Sequence, residues 1–231
     1  MSARSGRRPG LFLLAAALAA VAGCGTSGPR PPDPAADEVV AVAAEADAPA
    51  GTEAAVPPVE VPERAAAIHA RALAAMAAED WLSAKLELEQ LIAEYPSFAG
   101  PHVNLAIVYR REGRDDEAEA ALGRALEIAP GHAVANNELG VLYREQGEFG
   151  QAEAAYRRAI AGDPEYALAH YNLGVLLDLY LRRETEALEQ YEIYQALLPE
   201  PDSEVGRWVV DLRRRLGLPA DTVQVAQEDG R

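Results

Sequence analysis

The sequence predicts an all-α solenoid of about four helix pairs, closed by one further helix and flanked by disordered tails. Three observations carry that expectation. Pro96, Pro130 and Pro164 stand 34 residues apart, and Ala84, Ala118 and Ala152 keep the same interval. Self-similarity at such a period means stacked copies of one supersecondary unit. Within each unit the apolar residues recur at helical spacing. The periodic region, residues 63–217, is also bounded by segments of different composition, which fixes one domain between two tails.

The first segment, residues 1–23, carries Arg4, Arg7 and Arg8, then the apolar run Leu11 to Ala22, then small residues before Cys24. A charged start, a short apolar core and small residues make the three-part layout of an export signal. The run is shorter than the roughly 20 apolar residues a membrane-spanning helix needs. Gly23-x-Gly25-x-x-Gly28 copies the spacing of a dinucleotide-binding loop. That loop works only between a strand and a helix, and here an alanine-leucine run precedes it and prolines follow it. Val21-Ala22-Gly23-Cys24 instead resembles the lipobox of bacterial lipoproteins. The resemblance implies lipidation of Cys24, which becomes the first residue of the mature chain. With Gly25 rather than aspartate next, it also implies the outer membrane, facing the periplasm. Cys24 is the only cysteine, so no disulfide is possible within the chain.

Residues 24–62 follow as a tether. Eight of the sixteen prolines lie in residues 25–62, with no aromatic residue. Such a segment buries too little apolar area to offset the entropy of ordering. At roughly 5–6 Å × √n its reach is about 35 Å. At the other end, residues 218–231 form a shorter acidic tail.

The periodic units are residues 63–98, 99–132, 133–166 and 167–200. "NLAIVYRREGRDDEAEAALGRALEIAP" (104–130) aligns over "ELGVLYREQGEFGQAEAAYRRAIAGDP" (138–164), and both closely resemble the tetratricopeptide repeat. Leu105-Ala106 with Tyr109, and Leu139-Gly140 with Tyr143, fall in the first helix of their units; Ala118, Leu122, Ala125 and Ala152, Tyr156, Ala159 fall in the second. Small residues let the two backbones approach, large ones fill the space beside them, and Gly113 or Gly147 permits the turn. In the fourth unit Ala187, Tyr191 and Pro199 come one residue late, which predicts an insertion between Tyr180 and Glu184, where the glycine is also missing. The first unit is degenerate: it keeps only Ala84, Leu88 and Pro96 and replaces the small-residue position by Ala72 after Arg71. Residues 201–217 supply a capping helix with Val205, Trp208, Leu212 and Leu216 on one side, started by Asp202 or Ser203 and ended by Gly217. Nine helices and no sheet are expected.

The formal charge is −16, and removing residues 1–23 leaves 18 basic against 37 acidic side chains, a charge of −19. Nucleic acid and anionic headgroups are poor partners for such a surface. His69, His102, His132 and His170 form no i, i+4 metal pair, and the serines lack a nucleophile elbow. His102 and His170 are expected on helix surfaces. The sequence therefore predicts no enzyme, no cofactor, no metal and no small-molecule substrate.

A groove remains. In proteins of the resembled family the first helices line the concave side, and the positions implied there are Val103, Ile107 and Arg110, then Asn137, Val141 and Arg144, then Tyr171, Val175 and Asp178. Each set is spaced i, i+4, i+7 and so shares one helical face. Ile107, Val141 and Val175 would form an exposed apolar row beside Arg110 and Arg144, suited to a helix or extended peptide. Together these features predict a membrane-anchored interaction scaffold or assembly factor for an envelope complex of pilus, secretion, transport or motility type. Its partner would be a protein segment of that complex. The alternative is a regulator or activator of a periplasmic cell-wall enzyme.

Overall fold

A computed structural model describes residues 61–219 of the chain. The export signal, Cys24, nearly all of the tether and the acidic tail lie outside the described residues. Among the described residues there are nine α-helices and no strand: α1 (Glu63–Ala77), α2 (Trp81–Glu94), α3 (Ala99–Arg111), α4 (Asp115–Ile128), α5 (Ala133–Glu145), α6 (Phe149–Gly162), α7 (Ala167–Val175), α8 (Glu184–Leu197) and α9 (Ser203–Arg215), with a π-helical turn at Leu176–Tyr180 that extends α7. None of these helices is long and apolar enough to cross a membrane.

Local chemistry sets the helix starts. Asp80 accepts from the Ser83 amide at 3.1 Å to begin α2, and His132 accepts through Nδ1 from the Ala135 amide at 3.2 Å to begin α5. Asp202 caps α9 by accepting from the Glu204 and Val205 amides, and the Gln195 side chain holds Asp202 from both sides of its backbone. Asp115, Asp116 and Glu117 occupy the first turn of α4, and Arg213 to Arg215 the last turn of α9, each matching the helix dipole.

The turn inside each pair uses one residue in the left-handed region: Glu79 (φ 56°), Gly113 (φ 72°), Gly147 (φ 81°) and Arg182 (φ 57°). Glycine takes that conformation without steric cost, so the first and fourth repeats carry strain that the middle two avoid. The extra residue of the fourth repeat sits one turn earlier than the sequence suggests. It is absorbed in the π-helical turn, where the Leu181 amide donates to the Leu176 carbonyl at 3.1 Å, a bond five residues back. Arg182 then supplies the left-handed turn in place of glycine.

Each helix packs on the next, and α3, α5 and α7, the first helices of successive pairs, also touch one another. This nearest-neighbour layout is that of a stacked repeat array. The core is the run of crossings between paired helices, where Ala72, Ala84, Leu88, Ala106, Leu122, Ala152, Tyr156, Ala187 and Tyr191 are all buried. At the C-terminal end α9 packs on α8 through Val205, Trp208, Val209 and Leu212. Tyr191 and Trp208 bring their ring centroids to 5.7 Å, and Tyr171 to Trp208 is 6.1 Å.

Candidate protein-binding face

The first helices of the second, third and fourth repeats place equivalent residues in rows: 103, 137 and 171; 104, 138 and 172; 107, 141 and 175; 110, 144 and 178. The expected groove residues do share one face of α3, α5 and the α7 extension. Their exposure differs from expectation. Val103, Ile107, Asn137, Val141, Arg144, Val175 and Asp178 are buried, and only Arg110 and Tyr171 retain partial exposure. The row Ile107, Val141, Val175 is thus not an exposed apolar strip. The first helices touch laterally, and branched side chains at these positions lie in the packing between repeats rather than above it.

A buried polar seam runs beside that row. Asn172 Nδ2 donates to Asn137 Oδ1 at 2.9 Å, and Asn137 Nδ2 donates to Glu138 Oε1 at 3.4 Å. Arg110 then joins α3 to α5, giving Nη1 to Glu138 Oε2 at 2.8 Å and Nη2 to Glu145 Oε1 at 2.7 Å. One repeat earlier, Asn104 Nδ2 and His69 Nε2 are 3.0 Å apart. The links His69–Asn104 and Asn137–Asn172 both span 35 residues, so the seam is diagonal, from one row to the neighbouring row of the next repeat.

Burial pushes the Glu138 carboxyl above its ordinary value, and the Arg110 guanidinium opposes that rise. For Arg110, burial alone would lower the guanidinium, and the Glu138 and Glu145 carboxylates more than offset it. Asp178 is likewise raised by burial and opposed by Arg215 of α9, which donates to Asp178 Oδ1 at 3.4 Å. The same register position is therefore Arg110 in α3 and Asp178 beside α7, each neutralised by a neighbouring element. Sequence reasoning missed His69, Asn104, Glu138 and Asn172. The available signal was a polar residue at 104, 138 and 172, repeating at 34 residues inside otherwise apolar helices.

The histidines serve the packing. His170 is buried rather than on a helix surface, with Nε2 at 3.0 Å from the Pro164 carbonyl and Nδ1 at 2.9 Å from Gln190 Oε1. The first turn of α7 tucks this ring against the preceding turn and α8, which removes it from solvent. His102 keeps partial exposure, and burial together with Arg124 lowers its pKa. Among the described residues no group of three or more His, Cys, Asp or Glu side chains is arranged to hold a metal ion.

Two tetratricopeptide-repeat family models match the chain, over residues 97–165 and residues 137–200. The fold is a tetratricopeptide-repeat solenoid. The matches span α3 to α8, while α1, α2 and α9 extend the solenoid beyond them. Solved structures of the same fold include one of Pseudomonas aeruginosa pilF, at 24% identity, TM-score 0.61, covering 67% of this chain and 70% of that one. A MamA protein structure matches at 22% identity and TM-score 0.54, covering 68% and 85%. MamA from Desulfovibrio magneticus RS-1 matches at 17% and 0.54, covering 67% and 86%. At these identities the likeness is one of fold. No curated protein matches the chain.

Proposed function

We propose that this chain is a membrane-anchored tetratricopeptide lipoprotein that scaffolds assembly of a bacterial envelope complex of pilus, secretion, transport or motility type. It is lipidated on Cys24, held at the outer membrane facing the periplasm, and binds a protein segment of its client along the inner face of the solenoid. It is not an enzyme. The observation that carries the binding part is the lateral contact of α3, α5 and α7, which aligns equivalent residues of three repeats along one inner face, with Tyr171 and Arg110 partly exposed on it. An array of this kind offers an extended peptide or helix a regular series of contacts. Val103, Ile107, Asn137, Val141, Arg144, Val175 and Asp178 hold that surface in shape from beneath. The anchoring part rests on the order of charged start, apolar core and Val21-Ala22-Gly23-Cys24.

The test is photo-crosslinking in cells from Tyr171 and from Arg110, with exposed Gln151 on α6 as the control. Probes at Ile107 or Val141 would report internal packing, because both side chains are buried. The expected result is one envelope protein captured from Tyr171 and Arg110 and not from Gln151. Identical adducts from all three positions, or none, would remove the inner face from consideration. In parallel, metabolic labelling with a radioactive fatty acid should mark the wild-type chain and not Cys24→Ser; equal labelling of both would end the lipoprotein reading.

A further inference from the structure

The second helices of the four pairs also carry equivalent residues, 34 apart and then 35 apart across the π-helical turn, and α2 breaks their pattern. In α4, α6 and α8 the residues equivalent to position 82 are Asp116, Gly150 and Thr185, and those equivalent to position 86 are Ala120, Ala154 and Glu189. All six are exposed, and none is a large apolar residue. In α2 the same two positions are Leu82, 63% exposed, and Leu86, 57% exposed. At i, i+4 they share one helical face. The other large apolar side chains exposed among the described residues are Ile128, Val210 and Leu218, no two of which stand within one turn of each other. Three sister helices hold the same fold with small or polar residues here, so packing within the solenoid does not account for the leucine pair.

Carboxylates flank the pair along the chain. Glu79, Leu82, Leu86 and Glu89 are spaced i, i+3, i+7, i+10, which places both carboxylates on the leucine stripe, about 15 Å apart. Glu79 holds φ 56° where the second and third repeats have Gly113 and Gly147, so a carboxylate occupies a backbone position that favours glycine. Glu79 and Glu89 are exposed, and the two arginines of α1 do not serve them: Arg64 pairs with Glu94, and Arg71 with Glu87. Asp80, which caps α2, adds a third carboxylate, and Lys85, the only lysine of the chain, stands on the flank of the stripe. Three carboxylates against one ammonium leave the surroundings of the leucines acidic.

We propose that this stripe of α2 is a second docking surface, for a segment of a partner protein whose apolar side chains lie between two Lys or Arg residues about 15 Å apart. Charge complementarity selects that occupant. In an antiparallel pair of α2 helices, setting Leu82 against the second copy's Leu86 brings Glu79 opposite the second copy's Glu89, and a parallel pair sets each carboxylate opposite itself. Like charges disfavour both arrangements. An anionic lipid surface meets the same repulsion from a chain of net charge −16. A segment with basic flanks pairs both carboxylates while it covers both leucines. The surface belongs to a second helix and not to the first helices that form the inner face, so it stands without the scaffold reading, and probes on α2 report separately from probes at Tyr171 and Arg110.

The experiment places a photo-crosslinking amino acid at exposed Ala93 of the full chain in cells, one turn beyond Glu89 on the same face, which leaves both leucines intact. Ala161, the exposed equivalent on α6, is the control. Mass spectrometry maps the linked residues of each adduct. The expected product, from Ala93 and not from Ala161, is a protein segment with apolar residues between Lys or Arg. Leu82→Asp/Leu86→Ala installs the residues of the second repeat and should lower the yield roughly tenfold or more. Glu79→Gly/Glu89→Gln keeps both leucines, gives the turn the glycine of the middle repeats, and should lower it roughly fivefold or more. All four positions are exposed, and circular dichroism checks that each variant keeps its helicity. Should the leucine variant misfold, the carboxylate variant tests the same surface on its own. An adduct with a second copy of this chain, with lipid, with another part of the same chain or with an acidic segment would overturn the proposal. So would the same adduct from Ala161, no adduct from Ala93, or a yield that the carboxylate variant leaves unchanged.

Discussion

In the first and second repeats the tight point between paired helices is built from alanine and leucine, Ala72 with Leu88 and Ala106 with Leu122; in the third and fourth it is built from glycine and tyrosine. A Cβ added to Gly140 would lie 2.5 Å from Tyr156 Cε1, and one added to Gly174 would lie 2.7 Å from Tyr191 Cδ1. The ring occupies the space that a methyl group on the facing helix would need. The C-terminal half thereby accepts the lower helix propensity of glycine, roughly 0.5–1 kcal/mol per site, in exchange for aromatic area that continues into Tyr171, Tyr194 and Trp208. The lesson is that the unit specified by the repeat is the pair and not either position alone.

The sharpest way to break that comparison is to exchange the pairs. Gly140→Ala drives a methyl into the Tyr156 ring and should cost about 1–3 kcal/mol in chemical denaturation. Tyr156→Leu alone leaves a gap over Gly140 and should cost a similar amount, about 1–3 kcal/mol. The double variant recreates the alanine-leucine pair of the second repeat and should recover most of the loss, with a coupling of at least roughly 1 kcal/mol. Simple addition of the two losses would show that the positions act separately.

A smaller effect separates the middle repeats from the outer ones at the turn. Gly147→Ala puts a Cβ on a backbone at φ 81° and should cost about 1 kcal/mol. Arg182→Gly should act in the opposite sense, raising the denaturation midpoint, but by less, because glycine also loses more backbone freedom on folding. Equal and opposite shifts would mean that unfolded-state entropy plays no part at this turn.

These contrasts also separate what the sequence discloses from what it hides. The 34-residue interval of prolines and alanines is a one-dimensional signal, and an array whose repeats touch only their neighbours is a one-dimensional structure, so fold class and helix number were legible. The rows of the inner face were legible for the same reason. Their burial was not, because whether Ile107, Val141 and Val175 project from a groove or fill the seam depends on the lateral approach of α3, α5 and α7, and residue spacing carries no distance between helices. The extra residue of the fourth repeat was visible as a shift, yet its location was not. A π-helical turn at Leu176–Tyr180 keeps the helix intact, whereas the missing glycine drew attention to the loop after it. His170 was misplaced on a surface because its partners, the Pro164 carbonyl and Gln190, are brought together only by packing of the preceding turn and α8.

The smallest effect concerns what the rings carry with them. Tyr191 buries a hydroxyl that finds no hydrogen-bond partner among the described residues, whereas the Tyr156 hydroxyl lies beside Arg144. Burial pushes both phenols far above their ordinary pKa; Arg144 opposes the rise at Tyr156, while Asp178 adds to it at Tyr191. Removing an unpartnered hydroxyl while keeping the ring eliminates a desolvation cost without opening a cavity. Tyr191→Phe should therefore leave stability unchanged or raise it by up to about 1 kcal/mol. A loss larger than about 1 kcal/mol in this variant would mean that the hydroxyl is bonded, for instance to an ordered water. In that case the tyrosine of that repeat is held for its polar tip as well as for its area, and the glycine facing it would serve to position a hydrogen bond rather than only to admit a ring.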